Sequence, residues 1–324
     1  MPRYLCLLEC CARLSKYPAM ASLSHRQSWS LAVLLAIFPC LLCARAGSDA
    51  PEITYRTGAS EVRVTFFATD QNNQLVQAID RNDFAVVDGD MVIRDFRSLT
   101  RSDETKLDIV VLVDASESVA PRFRAIAEQV LRLISHKHAG DDLSIITFAG
   151  LRPDVLCSTD CGGASPESKI RSLKPAGATP LFDSLAFSAR YIAERHTAGV
   201  RQVLILLSDG NDTISGTSAR QALDRIIETG ALLYTINPNK VARDLKGSSA
   251  LQEMAEATGG RSFSEQEDAA EVLETALADL RASYVVTYPL PSRTAGFHSL
   301  RILPKHNLNL RFHCRRGYFY DEGR

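Results

Sequence analysis

The sequence shows no surplus of either charge: 37 lysines and arginines face 38 aspartates and glutamates, and the formal net charge is −1. A basic excess suited to nucleic acid is therefore missing, as is an acidic tail of the solvating kind. The apolar run from Trp29 to Cys43 falls short of the ~20 residues that a membrane-spanning helix needs, which argues against a stable span. No glycine-rich loop of the G-x-x-x-x-G-K type occurs, so nucleotide chemistry of that class is excluded. No internal repeat is visible, and no histidine stands near an expected strand end to serve as a base beside a serine.

What is present begins with a leader. His25 and Arg26 precede the run from Trp29 to Cys43, which ends in Ala44-Arg45-Ala46. A basic flank, a short apolar core and an A-x-A end predict a signal peptide over 1–46, cleaved after Ala46, and a secreted, periplasmic or cell-envelope location. Residues 1–19 are unlike a basic n-region, which makes Met20 a candidate for the true start. Cleavage removes Cys6, Cys10, Cys11, Cys40 and Cys43 of the eight cysteines. Of those left, Cys157 and Cys161 are close enough to staple one loop in an oxidising compartment, with two free thiols as the alternative. Cys314 reads as a small hydrophobe within a strand.

Along the mature chain, 47–106 is β-like, with Val62, Val64 and Phe66 alternating against Arg63 and Thr65. Asp70 to Asn73 reads as a turn, and Arg101 to Lys106 as a polar linker. Residues 107–282 alternate strand and helix. The β-branched run Ile109 to Val113 is too short for a helix and predicts a strand buried on both faces. Pro121 suits the first turn of a helix, and Phe123, Ile126, Ala127, Val130, Leu131 and Ile134 form a helical stripe. Residues 150–178 read as a long irregular segment. Val203 to Leu207 is a second buried strand, and the last helix is expected over Asp268 to Ala282. Such alternation predicts a doubly wound, mostly parallel α/β sheet. Residues 283–324 return to short strands too few to bury a core alone. The fold class expected is a doubly wound sheet inserted in a smaller all-β sandwich, formed by 47–106 and 283–324 together.

Three segments offer oxygen ligands at strand ends: Asp114-Ala-Ser116-Glu-Ser118, Gly177-Ala-Thr179-Pro180 and Ser208-Asp209-Gly210. In an open α/β sheet, ligands bind outside the carboxyl ends of the strands. Carboxylates and hydroxyls without imidazole or thiolate suit Mg²⁺, with Ca²⁺ or Mn²⁺ as alternatives, rather than zinc. Taken alone, the Asp114 loop reads better as a polar turn whose serine caps a helix; beside Thr179 and Asp209 the metal site is the better reading. A catalytic alternative is a metal-dependent phosphohydrolase using Asp114 as nucleophile, although Ser116 stands where such enzymes commonly carry a second aspartate.

The segment 107–282 resembles a von Willebrand factor type A (VWA) domain, and Asp114, Ser116, Ser118, Thr179 and Asp209 resemble its metal-ion-dependent adhesion site. The resemblance implies that Ser116 and Ser118 bind the cation directly and Thr179 does so in the ligand-bound state. Asp114 and Asp209 would act directly or through water. It also implies a non-enzymatic binding module whose partner is a protein presenting Asp or Glu to the open coordination position. Val119, Ala120, Pro121 and Arg122 follow the loop, where some family members carry acidic residues of a second ion site. The flanks, with Val62-x-Val-x-Phe, Asp83-Phe84 and Arg315-Arg-Gly-Tyr-Phe-Tyr320, are similar to secreted bacterial VWFA-related proteins. An architectural role in an envelope complex is a further alternative.

Overall fold

A computed structural model of the chain describes residues 61–101, 106–159, 161, 164–197, 199–239, 245–264 and 269–321. The expected signal peptide, the residues before Glu61, most of the Arg101–Lys106 linker and the start of the last helix at Asp268 lie outside the described residues.

The chain opens with β1 (Glu61–Thr69), β2 (Phe84–Asp88), β3 (Met91–Ile93) and β4 (Ser98–Arg101). In β1, Val62, Val64 and Phe66 point inward while Arg63 is exposed. After β1, the Asp70 carboxylate accepts the backbone N–H groups of Asn72 and Gln74, each at 2.8 Å. Asn73 takes φ 61° there, a conformation that asparagine tolerates better than most residues.

The central domain follows as β5 (Leu107–Asp114), a 3-10 turn over Glu117–Arg122, α1 (Phe123–His136), β6 (Asp142–Ala149), β7 (Arg152–Cys157), α2 (Ala164–Ser172) and α3 (Leu181–Glu194). It continues with β8 (Arg201–Leu207), α4 (Ala219–Thr229), β9 (Leu232–Asn237), α5 (Leu245–Thr258), β10 (Ser262–Ser264) and α6 (Ala269–Arg281). The six strands lie in the order β10-β9-β8-β5-β6-β7, parallel except for β7. Every residue of β5 is buried, because helices cover both faces and leave its run of apolar residues no polar side to alternate with. Ile109, Val111 and Val113 pack with α1 and α6, whereas Val110 and Leu112 pack with α3, α4 and α5.

Two local expectations are corrected. Pro121 sits in the 3-10 turn, and α1 begins only at Phe123. The 150–178 segment is not irregular throughout: it holds the antiparallel edge strand β7 and the short helix α2. An edge strand with one partly exposed face, and a helix of mean polarity, give the sequence little periodicity to show. In this segment Cys157 and Cys161 are joined by a disulfide, with Cys161 buried.

The chain ends with β11 (Tyr284–Pro289), β12 (Gly296–Pro304), β13 (Arg311–Cys314) and β14 (Gly317–Tyr320). These strands interleave with those before the central domain in two four-stranded sheets, β13-β1-β11-β4 and β14-β12-β2-β3. Val62, Val64, Phe66, Phe84, Val86, Val286, Tyr288 and Ile302 fill the space between them. The strands that lead into and out of the central domain, β4 and β11, pair antiparallel with Arg101 opposite Tyr284. An insertion whose two ends meet side by side leaves the host sandwich unbroken. The sandwich also touches α5: the Arg316 N–H donates to the Ala257 carbonyl at 2.8 Å. A Cβ on Gly259, at φ +89°, would lie 2.6 Å from the Cys314 carbonyl carbon. Cys314 packs against the sandwich core, and burial pushes its thiol up to about 11.

Candidate metal centre

Strands β5 and β8 are neighbours, yet the chain leaves β5 toward β6 and leaves β8 toward β9. Connections running in opposite directions open a crevice at the carboxyl ends of the two strands. Asp114 ends β5 and is 0% exposed; Asp209, just past the end of β8, is 4% exposed. Asp114 Oδ1 accepts the Ser116 N–H at 2.9 Å, and its Oδ2 accepts the Ser208 hydroxyl at 2.7 Å. The Ser208 hydroxyl in turn accepts the Gly210 N–H at 3.2 Å. Ser116 is buried and Ser118 exposed, and their hydroxyl oxygens stand 3.0 Å apart. The alternation of the D-x-S-x-S loop thus puts a carboxylate and two hydroxyls along one edge.

The Thr179 loop is stitched to this edge through backbone. The Ala176 N–H donates to the Ala115 carbonyl and the Glu117 N–H to the Gly177 carbonyl, both at 3.0 Å. Thr179, 1% exposed, precedes Pro180 at the start of α3. Its N–H donates to Thr213 Oγ1 at 2.7 Å, and its carbonyl accepts the Thr213 N–H at 3.0 Å. The Asp209 loop is therefore tied to both of the others, through Ser208 and through Thr213. Asp209 Oδ1 accepts the Asn211 N–H at 3.1 Å, holding its own turn. Gly210, at φ +83°, approaches α5 so closely that a Cβ would lie 2.4 Å from the Gly247 carbonyl oxygen.

Burial pushes the Asp114 carboxyl up to about 6, opposed by its hydrogen bonds from Ser116 and Ser208 and reinforced by the nearby Asp209 charge. Among the described residues no lysine or arginine forms an ion pair with either carboxylate. Nor does any cluster of three or more His, Cys, Asp and Glu side chains stand ready for a metal. A cation at this crevice would meet hydroxyls and carboxylates, an all-oxygen donor set that fits a hard divalent ion. The chemistry such an ion supplies is a positive charge that still attracts an external anion.

The residue pattern does not single out Ser208 or Thr213 as the groups that tie the loops together; a serine beside Asp209 at the close of a buried strand is the one cue to Ser208. Asp212 accepts the N–H and hydroxyl of Ser215. His136 closes α1, His298 lies against Tyr318, and His313 stacks on Phe67. None of the three is on a crevice loop.

A search of the curated proteins finds no match. Among solved structures, the chain is similar to an aerotolerance-related membrane protein from Bacteroides fragilis, at 16% identity over 54% of this chain and 98% of that one, with a TM-score of 0.44. It is similar to proximal thread matrix protein 1 of the mussel byssus, solved with a zinc-occupied MIDAS motif, at 19% identity over 59% and 49% of the two chains, with a TM-score of 0.45. The vWF domain of the type V pili tip protein Mfa5 from Porphyromonas gingivalis matches at 13% identity over 54% and 95%, with a TM-score of 0.43. Residues 109–211 match the von Willebrand factor type A domain family, a span that runs from the buried strand β5 through Asp114, Thr179 and Asp209. The α/β domain at the centre of this chain is a von Willebrand factor type A domain.

Proposed function

We propose that the chain is an exported binding module that captures an acidic side chain of a partner protein through a divalent cation. Asp114, Ser116, Ser118, Thr179 and Asp209 hold the cation, which is Mg²⁺ in preference to Ca²⁺ or Mn²⁺ because the donor set is compact and rich in hydroxyls. The observation that carries this reading is the pair of buried carboxylates, Asp114 and Asp209, that no basic side chain among the described residues neutralises. Two such charges at one crevice cost free energy unless a cation joins them. With Ser116, Ser118 and Thr179 as neutral ligands, the ion keeps net positive charge and draws a carboxylate from outside. Domain 107–282 is the reader, and the sandwich of 47–106 and 283–324 is its platform. The 1–46 leader delivers it to the periplasm, the cell envelope or the exterior. Among the described residues no helix is long and apolar enough to cross a membrane.

Calorimetric titration of the mature chain with Mg²⁺ tests the reading. Wild type is expected to bind one equivalent, and Asp114→Ala to bind none while keeping its far-UV circular dichroism. Failure of wild type to bind Mg²⁺, Ca²⁺ or Mn²⁺ sinks the proposal. Turnover of a phosphate ester, lost in Asp114→Ala, replaces it with hydrolysis.

A further inference from the structure

Large apolar side chains are exposed at few places in the described residues, and within the central domain at two: Leu151, 80% exposed, and Ile214, 46% exposed. All the others belong to the flanking strands and their turns. Leu151 lies in the turn between β6 and β7, and Ile214 in the loop between β8 and α4. Since β6 and β8 are the two neighbours of β5, these residues lie in the turns that follow the strands on either side of the one ending in Asp114. Both turns are anchored to the Thr179 loop. The Gly150 N–H donates to the Ala178 carbonyl at 2.8 Å, and Thr213 bonds the Thr179 backbone in both directions. Exposed leucine and isoleucine scattered singly need no explanation. The only such pair among the described residues of the domain, fixed one residue from two backbones that touch the Thr179 loop and in the turns after the strands flanking β5, does.

We propose that the chain recognises a carboxylate presented between two apolar side chains, with Leu151 and Ile214 as the residues that read those neighbours. The inference rests on the cation-bridged reading above and adds its specificity. The cation takes the acidic group, a point contact that any aspartate offers; the bracketing side chains distinguish one acidic segment from another by burying apolar surface on both sides of it. Leu151 and Ile214 are specificity residues and hold no part of the metal.

The probes are three acetylated, amidated pentapeptides with central sequences Leu-Asp-Leu, Ser-Asp-Ser and Leu-Asn-Leu. They are titrated against the mature chain with and without saturating Mg²⁺, by saturation-transfer NMR, which reads weak affinities. Leu-Asp-Leu is expected to bind about tenfold more tightly than Ser-Asp-Ser, the scale of one partly buried leucine contact, and Leu-Asn-Leu to show no Mg²⁺-dependent binding. Leu151→Ser and Ile214→Ser are each expected to reduce the preference for leucine about threefold, leaving Mg²⁺ affinity and circular dichroism unchanged. Equal Mg²⁺-dependent binding of both aspartate peptides overturns the inference and leaves the cation-bridged reading standing. So does a full preference retained when both Leu151 and Ile214 are serine. Mg²⁺ binding without capture of any aspartate peptide overturns the inference, and absence of metal binding overturns both.

Discussion

Gly210 is a point at which a one-atom change would reach the crevice at the ends of β5 and β8. Its φ of +83° lies in the left-handed region, and a Cβ would come within 2.4 Å of the Gly247 carbonyl oxygen and 2.6 Å of its carbonyl carbon. Both are backbone atoms of α5, so no flexible side chain can swing aside. Gly230 provides the control: it closes α4 at φ +72°, and a Cβ there would meet nothing within 4 Å. Gly230→Ala is expected to cost about 1–2 kcal/mol, the left-handed penalty alone. Gly210→Ala carries the same penalty and adds roughly 1–3 kcal/mol for overpacking, about 2–5 kcal/mol in all. The gain from a stiffer unfolded chain is common to both variants and cancels in the comparison. A domain with roughly 5–15 kcal/mol of stability survives either change, so guanidinium unfolding followed by circular dichroism can measure both. Relief of the clash must move Gly210 or Gly247, and Gly210 holds the Ser208 hydroxyl that bonds Asp114. Mg²⁺ affinity is therefore expected to fall about tenfold or more in Gly210→Ala, the usual scale for an outer-shell partner, and to stay unchanged in Gly230→Ala. If Gly210→Ala proves no more destabilising than Gly230→Ala, the close approach is wrong. If it is destabilised but binds Mg²⁺ normally, the coupling between the Asp209 turn and the crevice is wrong.

Two further outcomes concern the sandwich. Burial, with Arg261 and Arg311 adding to it, holds His313 down at about 4, below its ordinary 6.5. Above pH 6.5 the ring is neutral folded or unfolded. As the pH falls from 6.5 toward 4 only the unfolded chain takes up the proton, and stability is lost, by up to about 3 kcal/mol. Asp279 and Asp114, which burial raises to about 6 each, work the opposite way in the same window, because their folded carboxyls gain the proton first. His313→Phe should therefore gain stability relative to wild type on acidification, by up to about 3 kcal/mol at pH 4, whatever the slope of the wild type itself; parallel melting-temperature profiles from pH 7.5 to 4 would remove His313 from the account. Second, the buried Asp88 accepts hydroxyls from Tyr288 at 2.8 Å and Tyr318 at 2.9 Å. Tyr288→Phe is expected to cost about 1.5–3 kcal/mol, and adding Tyr318→Phe to cost more than the sum, because the carboxylate then loses both donors. Additive denaturation energies in that double-mutant cycle would contradict a shared acceptor.

Much of this architecture was legible in the residues because the signals were local. Ile109 to Val113, bracketed by polar residues, could be little other than a strand buried on both sides, and the stripe from Phe123 to Ile134 could be little other than an amphipathic helix. The aspartate and two serines after β5 declared a polar strand end by spacing alone. Where the sequence was silent, the deciding contact was distant or one-sided. Among the described residues strand β7 pairs only with β6, and it shows solvent much of its surface, so no alternation survives to mark it. Helix α2 is short and polar enough to read as loop.

The strand and helix alternation outside 150–178, the two-faced burial of β5 and the oxygen-rich loop behind it were thus determined by the sequence, since periodicity and composition act over a few residues. The tertiary structure alone decided which ends meet. It brought β8 beside β5, so that Ser208, unremarkable in the chain, bonds Asp114 across 94 positions. It interleaved strands that precede and follow the central domain into one sandwich, and it set Leu151 and Ile214 in the turns after the two strands that flank β5, a placement to which their own neighbourhoods give no clue. Adjacency across a sheet comes from chain topology and two-sided packing, and those are properties of the whole chain rather than of any segment in it.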